Sequence, residues 1–491
     1  MKPWIVLATI AGYFVLLFII SALANRNKDG GNFFGNRKTP WILAAIAAMG
    51  APISGVTFIS VPGMVVGKGF SYIQMVLGFV IGYFVVAYLL IPLFYKKNLK
   101  SIYGYLEDRY GASTHKTGAW FFFISKMLGA SVRFFVVCVV LQSLVFGPLG
   151  IPFFVNIIVT IALIFLYTSQ GGVKTVIWTD TLKSLCLVTS VVLCIVFMAK
   201  GLGFDFGAMC KSVAEDPSSR VFFFDNPSEG TYFWKQFLAG IFMLIATTGL
   251  DQDLMQRNLS CKNFKESQKS LIVSAFTQLI VISLFLVLGV LLMQYYKANL
   301  IAGDNSNAAV AAQLGTTDNL FGTVVASAGM PVILGILFIV GLVAAAYSAA
   351  GSALTALTTS FTVDILDAGK EEDEKKVNKA RKWVHFGMAV CMGVVILVFN
   401  AINNQDAISA VYTLASYTYG PILGLFAFGM FCKKPVRDRA VPFVCILAPI
   451  LSFGIQWALK TYAGYTIGFE LLLLNAALTV IGLLFLIKKK G

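Results

Sequence analysis

Apolar stretches close to twenty residues long recur from one end of this chain to the other. They decide its class before any motif is considered. A helix rises about 1.5 Å per residue, so about twenty apolar residues cross the roughly 30 Å hydrocarbon core of a bilayer. Thirteen such segments fall at approximately 4–24, 42–67, 70–94, 117–147, 151–169, 176–199, 234–256, 270–295, 330–365, 382–402, 408–431, 440–459 and 467–487. Only 12% of the 491 residues are charged, against about 25% in soluble domains. The expected class is therefore an all-α polytopic membrane protein with about 13 transmembrane helices. The first segment lacks a cleavage site and exceeds a signal-peptide core, so it reads as a retained span. The ninth, at 330–365, exceeds the bilayer thickness and has to tilt or project. The eight cysteines (138, 186, 194, 210, 261, 391, 432, 445) have no metal or redox spacing and read as small packing residues.

The net charge of +15 needs no nucleic-acid partner. Of the 38 Lys and Arg, 27 fall in one alternating set of loops plus the C-terminus, and 7 fall on the other side. Lys126, Arg133, Lys183 and Lys235 lie within or at the ends of spans. Positive charge accumulates on the cytoplasmic side. The split predicts an outside N-terminus, a cytoplasmic C-terminus and an odd number of spans in the cell inner (plasma) membrane. The outside loops near 200–233 and 296–329 are too short and polar for a separate core. The charged run at 367–382, "DAGKEEDEKKVNKARK", reads as a solvated helix end.

Two spans carry residues that a membrane helix ordinarily avoids. In "MGAPISGVTFISVPG" (49–63), Gly50, Pro52, Ser54, Gly55, Thr57, Ser60 and Pro62 interrupt the second span. In "FMLIATTGLDQDLMQRNL" (242–259), Thr247, Thr248, Gly249 and Asp251 interrupt the seventh. A broken helix survives in lipid only where its freed backbone is buried in protein or lines a cavity. A proline kink with Gly/Ser packing is the alternative for the first segment taken alone. The breaks lie five spans apart, at matching positions of two halves. That spacing predicts an inverted repeat with a binding site near the midplane.

Further stretches carry a resemblance: "SIYGYLEDRYG" (101–111), "GGVKTVIWTDTLKS" (171–184), "DQDLMQRNLSCKNFKESQKS" (251–270), "AAAYSAAGSALTALTTSFTVDIL" (344–366) and "GPILGLFAFGMFCKK" (420–434). In this order and spacing they resemble the sodium:solute symporter family over roughly residues 5–435, nearest in pattern to its sialic-acid, iodide and multivitamin members. The resemblance implies a LeuT-type 5+5 inverted repeat. Residues 1–41 would form the first span and a cytoplasmic loop, 42–200 the first five-helix repeat, and 201–233 an extracellular loop. Residues 234–435 would form the second repeat and 436–491 two C-terminal spans.

It also implies Na⁺ as the coupling ion, held between the second and ninth spans. Gly50 and Ile53 match two carbonyl donors, Ala345 a third, and Ser348 a hydroxyl ligand. Where the family usually has a second hydroxyl, this chain has Ala349. Asp180 lies just inside a span, where a carboxylate is expensive and functional by default. With Ser348 and Ser352 it matches a possible second ion site, although Gly351 replaces the third hydroxyl there. The alternative for Asp180 is a structural acid paired with Lys183 at helical spacing.

For a solute, Ser54 and Thr57 share one face after the break and match contact positions in sialic-acid members. Arg133 lies about 16 residues into the fourth span, and an arginine so deep needs a partner. Its planar fork suits a carboxylate, and it matches the arginine that holds the substrate carboxylate in those members. The alternative is an internal pair with Asp180, Asp251 or Asp253. Val76 and Thr57 replace an acid and a glutamine that contact sugar in galactose-transporting relatives, which argues against a hexose. Asp251 and Gln252 would contact solute or stabilise the break, and Tyr72 and Tyr412 would line the cavity or pack.

The expected activity is secondary active Na⁺-coupled symport of a small, anionic or carboxylate solute by alternating access. The expected partners are that solute and the bilayer, with no obligate protein partner. The rival readings are a solute sensor acting through a separate partner, and a sugar or inorganic-anion symporter. No Walker A loop, HExxH or Ser/His/Asp set speaks for an enzyme, and the two histidines, His115 and His385, lie beside cytoplasmic span ends.

Overall fold

The computed structural model describes residues 3–25, 45–46, 53–97, 101–169, 173–259, 261–301, 303–327, 329–366, 374–402 and 407–488. The side chains of some helical residues within these, Asp180 and Ser348 included, are outside the description. The regular elements are helices, joined near the C-terminus by one isolated antiparallel bridge between Val436 and Ile487. The long helices are α1 (Pro3–Asn25), α2 (Gly55–Lys68), α3 (Tyr72–Val85), α4 (Ala112–Leu141), α5 (Phe153–Ser169) and α6 (Val173–Gly201). There follow α7 (Phe233–Leu244), a short α8 (Gln252–Asn258), α9 (Phe264–Asn299), α10 (Val332–Ser360) and α11 (Glu374–Ile402). The bundle ends with α12 (Ala407–Phe431), α13 (Val441–Ala463) and α14 (Leu471–Phe485). Eight helical stretches among the described residues are long and apolar enough to cross a membrane, and three further apolar helices are shorter.

Among the described residues, four helices carry a wider π-turn, at Val86–Leu90, where helix continues to Lys97, and at the C-terminal ends Gln142–Phe146, Ile245–Gly249 and Phe361–Ile365. Such turns recur at functional sites because they redirect the chain without a full break. Between α2 and α3 the helix is interrupted at Gly69, whose φ of 52° and close approach to the Ser218 carbonyl suit glycine alone.

Without a hydrophobic drive between helices in lipid, association depends on close backbone contact through small residues. The α3–α7 crossing is built this way. A methyl on Gly78 would lie 2.2 Å from the Phe237 carbonyl oxygen, and one on Gly240 would lie 2.1 Å from that of Met75. Helix α2 is enclosed similarly: Gly289 of α9 abuts the Pro62 carbonyl, and Gly55 lies against Val137, Leu342 and Ala346 of α4 and α10.

Helix α12 shows how a proline is accommodated. Pro421 has no N–H to offer the carbonyl of Tyr417, four residues earlier. The buried Asn475 of α14 supplies it instead, donating to Tyr417 O at 2.8 Å and to Ser416 O at 3.0 Å. Gly420 leaves room for that amide, since a Cβ there would lie 2.4 Å from it.

The α3–α7 crossing yields a direct test. Gly240→Ala places a methyl inside a backbone contact that no rotamer change relieves. The substitution is expected to cost at least about 1–3 kcal/mol, the usual range for overpacking. Thermal unfolding of purified protein in detergent reads this as a lowered midpoint. A midpoint equal to wild type would mean that the two helices do not meet at Gly240.

Candidate functional site

The two expected breaks are both present at their described ends. Ile53 and Ser54 are not helical, and α2 begins at Gly55. The Ser54 N–H donates to Thr57 Oγ1 at 3.2 Å, and the Phe58 N–H donates to the Ser54 carbonyl at 3.0 Å. The start of α2 is thus satisfied locally, as helix N-termini require. Because Gly55 has no side chain, this start sits directly against α4 and α10. Ile53 and Ala345 are buried, and Ala349 faces a cavity. Gly50 and the side chains of Ser348 and Asp180 lie outside the described residues.

The second break is better resolved in its chemistry. Helix α7 runs into the π-turn, which closes with Leu250 N–H donating to Ile245 O at 3.1 Å. Asp251 is then extended (φ −98°, ψ 120°) and caps α8. Its Oδ1 accepts from the N–H groups of Asp253 at 2.9 Å and Leu254 at 3.2 Å. Three other helices are tied to this point. Lys126 of α4 places Nζ at 3.1 and 3.0 Å from the two Asp251 oxygens and 3.0 Å from Asp253 Oδ2. Tyr419 of α12 donates to Asp251 Oδ2 at 2.7 Å. Ser352 of α10 donates to Asp253 Oδ2 at 2.6 Å and accepts from Arg257. Arg257 also pairs with Asp253 Oδ1 at 3.3 Å. All four charged side chains are at most 12% exposed. Two cations and two carboxylates cancel, which is how buried charges are tolerated.

A cavity of about 60 Å³ opens beside this cluster, with room for several waters. Lys126, Asp251, Asp253 and Ser352 line it, together with Thr247, Thr248, Ala349, Tyr419, Arg133 and smaller or apolar residues of the same helices. Arg133 is two helical turns beyond Lys126 on the same face of α4. It makes neither an ion pair nor a hydrogen bond among the described residues, and its guanidinium is within electrostatic reach of the hydroxyls of Tyr72, Tyr412 and Tyr419. The internal pairing of Arg133 with Asp251 or Asp253 is not what forms, and the Asp180 side chain lies outside the described residues. Those acids are held by Lys126 and Arg257, which lie closer in the fold.

Of the residues singled out for solute, the structure brings Arg133 and Asp251 to this cavity. Ser54 and Thr57 are buried at the α2 start and engaged with each other. Gln252 accepts from the Ile102 N–H at 2.9 Å, holding the loop before the short helix Gly104–Arg109. Tyr72 and Tyr412 meet hydroxyl to hydroxyl at 2.6 Å, bridging α3 and α12, while Lys68 reaches Ser409 at 3.2 Å nearby. Lys126, Arg257 and Tyr419 complete the cluster and were not singled out from sequence, whereas Asp253 was named only as a possible partner of Arg133. The available signal was Lys126 itself, a second cation seven residues before Arg133 in the same span.

The sequence profile described as "Sodium:solute symporter family" matches residues 32–441. The chain belongs to this family. It is therefore a multi-pass membrane protein whose class couples solute transport to sodium. The symporter is 24% identical to the sodium/sialic acid symporter SiaT of Proteus mirabilis (strain HI4320) over 467 residues, covering 91% of this chain and 88% of that one. It is 26% identical to the sodium/sialic acid symporter NanT of Aliivibrio fischeri (strain ATCC 700601 / ES114), covering 85% and 81%. Its fold matches a substrate-bound, outward-open Na⁺-coupled sialic acid symporter with a TM-score of 0.79 at 22% identity, over 98% and 97% of the two chains. The symporter thus has the LeuT-type fold.

The cluster predicts a specific loss. In Tyr419→Phe the symporter keeps the ring but leaves Asp251 Oδ2 one donor short. Hydrogen bonds to charged groups are worth about 1.5–3 kcal/mol, so thermal stability in detergent is expected to fall by that order. An unchanged midpoint would show that Tyr419 does not reach Asp251.

Proposed function

We propose that this symporter carries a small organic anion, with a carboxylate or an equivalent group read by Arg133. The observation that supports this is the charge balance of the cavity. Asp251 and Asp253 are neutralised by Lys126 and Arg257, so Arg133 leaves the cavity with one positive charge unmatched among the described side chains. An arginine at this depth costs several kcal/mol unless a partner arrives. A monoanionic solute supplies that partner, and the guanidinium fork accepts a carboxylate through two parallel hydrogen bonds. The sialic acids named for the two relatives are carboxylates, which is consistent with this reading.

Sodium is cargo in the cycle. Its site lies where the start of α2 meets α10, with Gly50, Ile53, Ala345 and Ser348 as oxygen donors. The tight seat of Gly55 on Ala346 supports the proximity of the two segments. Na⁺ is a hard cation, and carbonyls freed from a helix ladder serve it without adding fixed charge. Ala349 leaves this site one hydroxyl short. Asp180 with Ser348 and Ser352 is the candidate for a second ion. Ser352 is held by Asp253 and Arg257 in the present conformation. Thirteen spans with an outside N-terminus and a five-plus-five inverted repeat, broken at matching places, account for the charge asymmetry and for the two N-capped breaks. Sodium fixes α2 against α10, the solute enters beside Arg133, and the loaded protein turns inward, where both leave. A potential of ~100 mV contributes about 2.3 kcal/mol per sodium.

Two measurements test this reading in proteoliposomes with an imposed sodium gradient, using N-acetylneuraminate and other carboxylates as probes. Arg133→Lys keeps the charge but loses the fork, and half-saturation is expected to rise about tenfold. Arg133→Gln should weaken uptake further, and a methyl ester of the same probe should mimic that loss in wild type. Uptake indifferent to both changes rejects the anionic solute. Separately, Ser348→Ala removes a sodium ligand. The sodium concentration for half-maximal uptake should rise by roughly tenfold to a hundredfold, for a cost of about 1–3 kcal/mol. An unchanged sodium dependence places the ion elsewhere.

A further inference from the structure

We propose that Lys126 is a positioning residue whose ammonium occupies, as a tethered cation, a monovalent-cation site built at the α7–α8 break by Asp251 and Asp253. The proposal rests on family-level symport and is independent of how Arg133 is read. Its starting point is coordination. One ammonium has three carboxylate oxygens within 3.1 Å, drawn from two residues on either side of a helix start. The Asp251 carboxylate is fixed by two backbone N–H groups and by Tyr419, and that of Asp253 by Ser352 and Arg257. The oxygens are thus held in place by partners other than Lys126. Removing the lysine leaves a small pocket of fixed, negatively charged oxygens beside a cavity.

The location gives this cation a task. Asp251 is the residue at which α7 stops and α8 begins. The tether fastens that point to α4, the helix whose next inward-facing cation is Arg133. The position of the break relative to the cavity is therefore set by a charge on α4. In an ion-coupled transporter, a free ion at this place would come and go. A lysine cannot leave, so the break stays fastened throughout the cycle.

The test uses cations alone and needs no solute. Wild type and Lys126→Ala are compared in choline, sodium and methylammonium at equal ionic strength. Amide hydrogen exchange over residues 245–258 and thermal unfolding are followed. In choline, exchange over the break is expected to rise by a few hundredfold or more in Lys126→Ala, as for loss of one partner of a buried pair. Methylammonium or sodium should reverse most of that rise along a saturable curve and should leave wild type unmoved. The charge-balanced double variant Lys126→Ala/Asp251→Asn should fold but give no cation response. If Lys126→Ala is not recovered from choline, it is prepared in methylammonium. Recovery in methylammonium or sodium alone supports the proposal, and failure in all three overturns it. Wild-type exchange at the break in Lys126→Ala, or equal effects of choline and methylammonium, also overturns it.

Discussion

Every part of this fold answers to one constraint, that a polar group in hydrocarbon must find its partner inside the protein. The α7–α8 break is where the demand is heaviest. Ending one helix and starting another exposes several backbone groups at once. Asp251 meets the demand by capping α8 with one oxygen. That solution places a carboxylate in the interior, which in turn requires Lys126 and Tyr419. Asp253 and Arg257 extend the chain of compensation to Ser352 on α10. Four helices converge on the break because a single backbone interruption cannot be isolated in lipid. The same logic, with neutral groups, governs Pro421 and Asn475.

The family model fits this arrangement without specifying it. Membership settles the sodium-coupled class and the likeness in fold. The charge balance of the cavity comes from side chains of this chain. The acids are matched internally, and the arginine faces open space. The proposed anionic solute rests on this balance, because opposite charge in a poorly solvated cavity is screened little.

The helices and both breaks were legible in the sequence, since each depends on local pattern. Apolar length marks spans, and Gly, Pro, Ser and Asp at mid-span mark interruptions. Arg133 was legible as an anomaly because its depth alone demands a partner. What stayed hidden depends on contacts across the fold. Nothing local says that Lys126 meets Asp251, 125 residues away. Nor does anything local say that Gln252 turns to the Ile102 backbone, or that Tyr72 and Tyr412 spend their hydroxyls on each other. Ser54 and Thr57 carry a second role that no local pattern separates from the first. A hydroxyl near a break suits a ligand and suits a helix cap equally well, and here it caps.

The Gly78–Gly240 contact has a mechanical consequence. Backbone touches backbone there, so α3 and the first part of the 233–258 segment behave as one stiff body. At the other end, α8 is anchored by charge to α4 and α10. Between these clamps lies the π-turn Ile245–Gly249, where a Cβ added at Gly249 would come within 3 Å of side-chain atoms of Val86 and Leu90. Five residues thus join a part fixed by backbone packing to a part fixed by charge. Two of them, Thr247 and Thr248, form part of the cavity wall. Any shift of one clamp relative to the other has to pass through the chamber's own lining.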